Sequence, residues 1–166
     1  RLSPTEAAHV VEEFAGAVPV LDGGPSSAGV ESTIVGLAGE QPVLLRPGAL
    51  DQREIEDALG TKLTDPKGGA IEAPGMMTSH YAPDQALRLN AAAAHSGEAL
   101  LGFGGTPGAA LDLSPSADLR QAASNLFTML RTLDRQGRPI AVAPIPEEGL
   151  GRAINDRLAR AAAPRD

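Results

Sequence analysis

The residues best suited to chemistry lie in a segment bounded by two prolines, Pro74 and Pro83, which we call the strap. It holds the only tyrosine of the chain, Tyr81, and one of its three histidines, His80. Proline fixes its own φ angle, removes a backbone donor and restricts the preceding residue, so the strap is expected to run extended over a surface. Such a segment can carry a phenol and an imidazole to a site that other parts of the chain build.

Three further polar residues occupy positions where an anion could bind. Val30 to Leu37 is rich in β-branched residues, which is typical of a strand, and strict alternation would place the Ser32 hydroxyl beside an aliphatic wall. Arg46 ends the next predicted strand, where a guanidinium can bind a phosphate or a carboxylate with two hydrogen bonds. Thr5 lies at a predicted helix start, whose free N–H groups favour anions. Taken singly, each of these residues is more often structural than functional.

The elements that would position these residues change character along the chain. Predicted in order are a helix starting at 3–6 with Ser3 as its N-cap, strands at 18–21, 30–37 and 42–46, a helix at 51–59, strands at 87–89, 99–101, 110–113 and 139–145, and helices at 116–136, capped by Ser116, and 150–161. The second and third strands should form an antiparallel pair. Strands that alternate with helices in the second half indicate a parallel sheet, so the chain is assigned to the α/β class. Residues 61–83 show no periodicity, which places a domain boundary there.

Composition limits the function classes. With 14 basic and 21 acidic residues the net charge is −7, which argues against broad electrostatic capture of nucleic acid or of an anionic membrane. The chain has no cysteine, so disulfides and thiolate metal sites are excluded. Since no apolar stretch approaches the ~20 residues of a membrane span, we expect a soluble, cytoplasmic protein that makes no membrane contact.

Two weaker signals favour structural interpretations. The glycine-rich loop from Gly102 to Gly108 resembles a phosphate cradle, but it lacks the third glycine of a dinucleotide fingerprint and the Gly-Lys-Ser/Thr of a P-loop. We therefore predict a structural turn. His9 and His95 have no neighbours at metal-ligand spacing, so no metal site is assigned.

Six motifs occur here in the order seen in the long form of the YrdC-like family, the threonylcarbamoyl-AMP synthases. They are Ser3-Pro4-Thr5, Asp22-Gly23-Gly24, Gly29 to Val35, Leu45 to Gly48, Ala73 to Met76 and His80 to Pro83. The end of the chain, Gly149 to Ile154 with Asn155 and Arg157, also resembles the family's C-terminal helix. The resemblance implies three parts: residues 1–60 as the C-terminal part of a YrdC-like catalytic domain, 61–83 as an interdomain linker and lid, and 84–166 as a small Rossmann-like domain with a parallel sheet.

The resemblance also implies a reaction and its participants. Members of the family join ATP, L-threonine and bicarbonate into threonylcarbamoyl-AMP and pyrophosphate, with Mg²⁺ expected to accompany ATP. This is the first step toward threonylcarbamoyladenosine at position 37 of tRNA. By motif, Thr5, Arg46 and Tyr81 would bind ATP and Ser32 would bind L-threonine. His80 and Met76 would anchor the lid, and no residue is assigned as nucleophile or base.

The expected partners follow from what this sequence lacks. The family's catalytic domain begins with an N-terminal half, carrying basic residues for the ATP phosphates, that does not occur here. That missing half of the same protein is the first expected partner, and this chain alone is not expected to be active. The downstream tRNA threonylcarbamoyl-transfer machinery is the second. Two alternatives stay open: a YrdC-like carbamoyl-transfer protein, and a nucleotide- or RNA-binding module without catalysis.

Overall fold

The computed structural model describes residues 2–66 and 81–164, which contain four helices and six strands. In chain order these are α1 (Ala7–Glu13), β1 (Ile34–Gly36), β2 (Val43–Arg46), α2 (Gln52–Leu59), β3 (Leu87–Arg88), β4 (Ala99–Gly102), β5 (Leu111–Asp112), α3 (Leu119–Asp134), β6 (Ile140–Val142) and α4 (Leu150–Ala162). None of the helices in this described part is long and apolar enough to cross a membrane. Met76 and His80 of the strap lie outside the described residues.

We call residues 2–60 the first unit and residues 84–164 the second unit. The second unit contains a four-stranded parallel sheet in the order β3-β6-β4-β5. Strands β4 and β6 are buried along their whole length and almost entirely aliphatic, as strands of a parallel sheet are when helices cover the faces. Helices α3 and α4 pack on each other and supply Leu126, Phe127, Leu130, Ile154 and Leu158 to the main core. The predicted α/β fold with a parallel sheet is therefore confirmed.

The first unit keeps the predicted antiparallel pair and the short helix that follows it. Strands β1 and β2 pair antiparallel, with a register shift between Ile34 and Val35. The Asp51 carboxylate caps α2 by accepting the Arg53 N–H at 2.7 Å, and Gly60 ends the helix in the left-handed region at φ 66°.

One predicted strand is absent, and another is shorter than predicted. Residues 18–21 form no strand, and Val18 and Leu21 are 43% and 99% exposed, because an apolar run cannot form a ladder without a neighbouring strand. Of the predicted strand 30–37 only β1 forms. The residues that precede β1 make hydrogen bonds to the segment after β2 instead of continuing the ladder. The Thr33 hydroxyl, for example, donates to the Leu50 carbonyl at 2.6 Å. Ser32 consequently lies outside any strand and is exposed, so the alternation argument does not apply to it.

Both predicted serine caps are also wrong. Helix α1 begins at Ala7, and the Ser3 hydroxyl instead donates to the Glu31 carboxylate at 2.6 Å. Helix α3 begins at Leu119 with Asp118 as its cap, because that carboxylate accepts two backbone N–H groups of the first turn and complements the helix dipole.

The start of the chain packs against the second unit along α3. The Thr128 hydroxyl donates to Glu6 Oε1 at 3.1 Å, and Arg131 Nη2 donates to the Leu2 carbonyl at 2.5 Å. An exposed ion pair between Arg135 and Glu12, at 2.6 Å, continues the same interface. The two units are therefore in direct contact through residues far apart in sequence.

Glu98 fixes Arg88 at the edge of the second unit's sheet. Arg88 Nε and Nη2 donate to the two Glu98 carboxylate oxygens at 2.9 and 2.5 Å, and the His95 N–H donates at 2.7 Å. These hydrogen bonds lower the pKa of Glu98 from 4.5 to about 2, and the bond from Arg88 has the largest effect. Since the folded pKa lies below the unfolded one, the ionised carboxylate stabilises the fold above the unfolded pKa and loses that contribution as the pH falls toward the folded pKa.

We expect Glu98→Gln to lower the free energy of unfolding at pH 7 and to have progressively less effect as the pH falls from 4.5 toward 2. Urea unfolding of both proteins at several pH values measures this difference. Glu40→Gln, in the exposed turn between β1 and β2, is the matched control. A destabilisation that does not change with pH would show that the ion pair is not its source.

Candidate functional site

Ser32 and Arg46, predicted for different substrates, lie in direct contact. Arg46 Nε and Nη2 donate to the Ser32 carbonyl at 3.2 and 2.8 Å, and Nη2 lies 3.3 Å from the Ser32 hydroxyl. The arginine is 7% exposed, whereas Ser32 is exposed. A buried guanidinium that holds an exposed serine is an arrangement that can bind a small polar ligand next to an anion.

A close approach of two backbones explains this contact. Gly48 lies against residues 31–33, where an added Cβ would come within 2.4 Å of the Glu31 carbonyl oxygen. The Ala49 N–H donates to that same carbonyl at 2.9 Å. Only glycine permits this packing. The turn after Arg46 and the segment around Ser32 are therefore held rigidly together.

Glu31 stands beside Ser32 and connects it to both ends of the chain. Its two carboxylate oxygens accept from the Ser3 hydroxyl at 2.6 Å and from Arg157 Nε at 2.9 Å. Burial alone would raise the pKa of Glu31, but the hydrogen bonds from Ser3 and Arg157 outweigh it and lower the pKa below its ordinary value. The residue is therefore ionised in the folded protein at neutral pH.

Arg157, on α4 of the second unit, is the most buried charged residue of this site at 1% exposed. Its Nη1 donates to the Pro47 carbonyl at 3.0 Å and to Asp156 at 2.7 Å, while Nη2 has no hydrogen-bond partner among the described residues. Sequence reasoning noted Arg157 only as part of a C-terminal motif. The available signal was its position on the apolar face of α4, between Ile154 and Leu158, where a charge is unexpected.

Tyr81, at the end of the strap, is 2% exposed. Its ring centroid lies 5.5 Å from that of Phe127, and the guanidinium carbon of Arg157 lies 5.4 Å from the ring centroid. Burial, more than any neighbouring charge, raises the pKa of the phenol, and a hydrogen bond with Glu31 adds to the rise. Its φ of 62° is a left-handed conformation that a non-glycine residue adopts only when packing holds it.

Thr5 makes its side-chain contacts with residues other than Ser32 and Arg46. Its hydroxyl is within 3.3 Å of His9 Nδ1 and 3.1 Å of the Thr128 hydroxyl, and the residue is buried. Burial and the charge of Arg131 lower the pKa of His9. A surface cavity of about 240 Å³ is lined by Thr5 and by residues 20–24, so the structure does bring Thr5 next to the Asp22-Gly23-Gly24 motif.

The glycine-rich loop after β4 is a structural turn, as predicted. The N–H groups of Gly105 and Thr106 donate to Asp112 Oδ2 at 3.1 and 3.0 Å. A carboxylate of the protein therefore occupies the place that a phosphate would take in a cradle.

The chain is similar to known proteins in both sequence and fold. Residues 50–163 match the family model of the threonylcarbamoyl-AMP synthase C-terminal domain. The chain is 36% identical to a threonylcarbamoyl-AMP synthase of Pyrococcus abyssi and 32% identical to one of Bacillus subtilis, in each case over 96% of its own length. It superimposes on the crystal structure of P. abyssi Sua5 complexed with L-threonine with a TM-score of 0.83 and 31% identity over 98% of its length.

The matched relatives are considerably longer than this chain. The chain spans 54% of the P. abyssi protein and 53% of the B. subtilis protein. The same holds for the solved structure, of which 54% is covered. The similarity thus extends over nearly all of this chain but over about half of each relative.

Proposed function

Because the chain belongs to the threonylcarbamoyl-AMP synthase family, we propose that it is the C-terminal portion of an enzyme that joins ATP, L-threonine and bicarbonate. The products are threonylcarbamoyl-AMP and pyrophosphate. The observation that carries the proposal is the direct contact of Arg46 with Ser32, a cation suited to a nucleotide next to a hydroxyl suited to an amino acid.

The reaction requires positioning and charge neutralisation. The threonine amine attacks bicarbonate and loses water to give a carbamate, whose oxygen then attacks the α-phosphate of ATP and displaces pyrophosphate. ATP, bicarbonate and the carboxylate of L-threonine bring several negative charges together, so fixed cations and excluded water matter more than a covalent nucleophile. We assign Ser32 to L-threonine and Arg46 to ATP. Mg²⁺ would travel with the triphosphate.

The remaining residues have roles that follow from the family motifs. We assign Thr5 to ATP beside the cavity it shares with residues 20–24. Tyr81 is assigned to the nucleotide as part of the lid; because its ring is buried on Phe127, that contact requires the ring to leave this packing when the lid rearranges. His80 and Met76 keep their proposed role as lid anchors.

The proposal includes the organisation of the whole protein. Residues 1–60 would complete a catalytic domain together with an N-terminal portion such as the longer relatives have, 61–83 would be the linker and lid, and 84–166 the Rossmann-like domain. The product would pass, in the cytoplasm, to the machinery that transfers the threonylcarbamoyl group to tRNA.

Pyrophosphate release from ATP and bicarbonate, measured with and without L-threonine, tests this function. We expect threonine-dependent release from the chain joined to its N-terminal portion, and none from the 166 residues alone. Threonine-independent release would favour carbamoyl transfer to another acceptor. Absence of release from the complete protein, with retained ATP binding, would favour a non-catalytic binding module.

A further inference from the structure

One side chain of the second unit reaches the segments that carry both proposed substrate residues. Arg157 donates to Glu31, which precedes Ser32, and to the carbonyl of Pro47, which follows Arg46. The Arg157–Glu31 contact joins residues 126 positions apart. We propose that Arg157 is a positioning residue for the substrate site and that the second unit exists in part to supply it. This inference rests on the function proposed above.

The chemistry of the contact favours a role in geometry over a role in stability. Removing a guanidinium from water costs several kcal/mol, and replacing a buried ion pair by apolar residues is often neutral or stabilising. Arg157 is 1% exposed on an otherwise apolar helix face, and its Nη2 has no hydrogen-bond partner among the described residues. An aliphatic residue would pack there without the cost of removing a charge from water. It could not supply the two directed hydrogen bonds to Glu31 and Pro47.

The shape of the guanidinium sets the separation of the two substrate segments. Nε points to Glu31 and Nη1 to Pro47, and the planar group fixes the angle between these donors. The other Glu31 oxygen is held by Ser3, so the carboxylate cannot rotate away. Gly48 packs directly on the backbone of residues 31–33. If the segment around Glu31 moves, the segment around Pro47 must therefore move with it.

Arg157 is a cation, so both bonds are charge-assisted, but only the bond to Glu31 joins two opposite charges. The attraction between these charges makes it the stronger bond, so loss of Arg157 should disturb the Ser32 side more than the Arg46 side. The expected signature is a rise in KM for L-threonine that exceeds the rise in KM for ATP. A merely structural residue would change the amount of folded enzyme and leave both KM values unaltered.

The test uses the complete enzyme in the pyrophosphate-release assay, with L-threonine and ATP varied separately. We expect Arg157→Met to raise KM for L-threonine about tenfold, the factor that corresponds to one lost bond to a charged group. Arg157→Lys, which keeps the charge and can still reach Glu31, should recover most of this loss. Glu31→Gln leaves α4 unchanged and should raise the same KM. It replaces Arg157→Met as the test if that variant fails to fold.

Arg152→Met is the matched control because Arg152 also lies on α4 and also bonds across the units. Its guanidinium donates to Gln52 at 2.5 Å and forms an ion pair with Asp65, and it makes no contact with Glu31. Both KM values should stay within about twofold of wild type in this variant, as for an exposed ion pair. Unchanged threonine KM in Arg157→Met and Glu31→Gln, or an equal rise in Arg152→Met, would overturn the inference while the proposed function stands. A wild-type enzyme without threonine-dependent release would overturn both.

Discussion

Replacing Gly29 by alanine is expected to destabilise the protein by about 4 kcal/mol, the sum of a left-handed backbone conformation and of overpacking. Gly29 has a φ of 69°, which alanine adopts only with strain. A Cβ at this position would lie 2.1 Å from the Ala123 carbonyl oxygen and 2.4 Å from Ser124 Cα. Both contacts are with the backbone of α3, which cannot move without disturbing the core of the second unit.

Gly24→Ala is the control that separates the two causes. Gly24 also has a positive φ, 87°, but an added Cβ would meet nothing within 4 Å. We expect it to cost about 1 kcal/mol from backbone strain alone. Urea unfolding gives both values. Equal losses in the two variants would show that the packing of Gly29 on α3 does not contribute.

We expect Gly29→Ala to disturb the site as well as to destabilise the fold. Gly29 stands two residues before Glu31, so a shift of this segment away from α3 would draw the carboxylate away from Arg157. The family motif that begins at Gly29 therefore has a physical reason at its first residue. The glycine lets the segment carrying Ser32 lie directly on the second unit.

Periodicity predicted α3, α4, β4 and β6 of the second unit well because these elements are long or fully buried. The apolar face of α3 and the aliphatic runs of β4 and β6 can be recognised from local sequence, and tertiary packing reinforces the same preferences. The ends of elements were less well predicted. Asp118 replaced Ser116 as the α3 cap because both residues suit a cap and only the geometry of the preceding turn chooses between them.

The candidate site was predictable as a set of residues but not as an arrangement. Motifs identified Ser32 and Arg46, yet neither alternation nor helix-start rules predicted that the Arg46 guanidinium holds the Ser32 carbonyl. Glu31 was missed because its importance arises from Arg157, which lies 126 positions later. Local patterns carry no information about a contact of that range. A charge on an apolar helix face is the one local sign of it.

Arg46→Ala is expected to lower kcat/KM for ATP roughly 100-fold in the complete enzyme, the typical effect of removing a preorganised donor from a site where charge develops. The substitution removes the proposed cation and also both hydrogen bonds that hold the Ser32 carbonyl. Arg46→Lys should fall between alanine and wild type, since an ammonium keeps the charge but cannot replace the two directed donors.

Two matched variants distinguish a nucleotide role of Arg46 from support of Ser32. Ser32→Ala removes the hydroxyl 3.3 Å from Arg46 but leaves the carbonyl that Arg46 holds, so it should raise KM for L-threonine and leave KM for ATP nearly unchanged. Arg53→Ala, at an exposed arginine on α2, should alter neither. If Arg46→Ala reproduced the Ser32→Ala profile and spared ATP, Arg46 would be a support for the threonine site and the nucleotide assignment would fall. A selective loss of ATP affinity, with a smaller change for L-threonine, is the result that the contact of a buried guanidinium with an exposed serine leads us to expect.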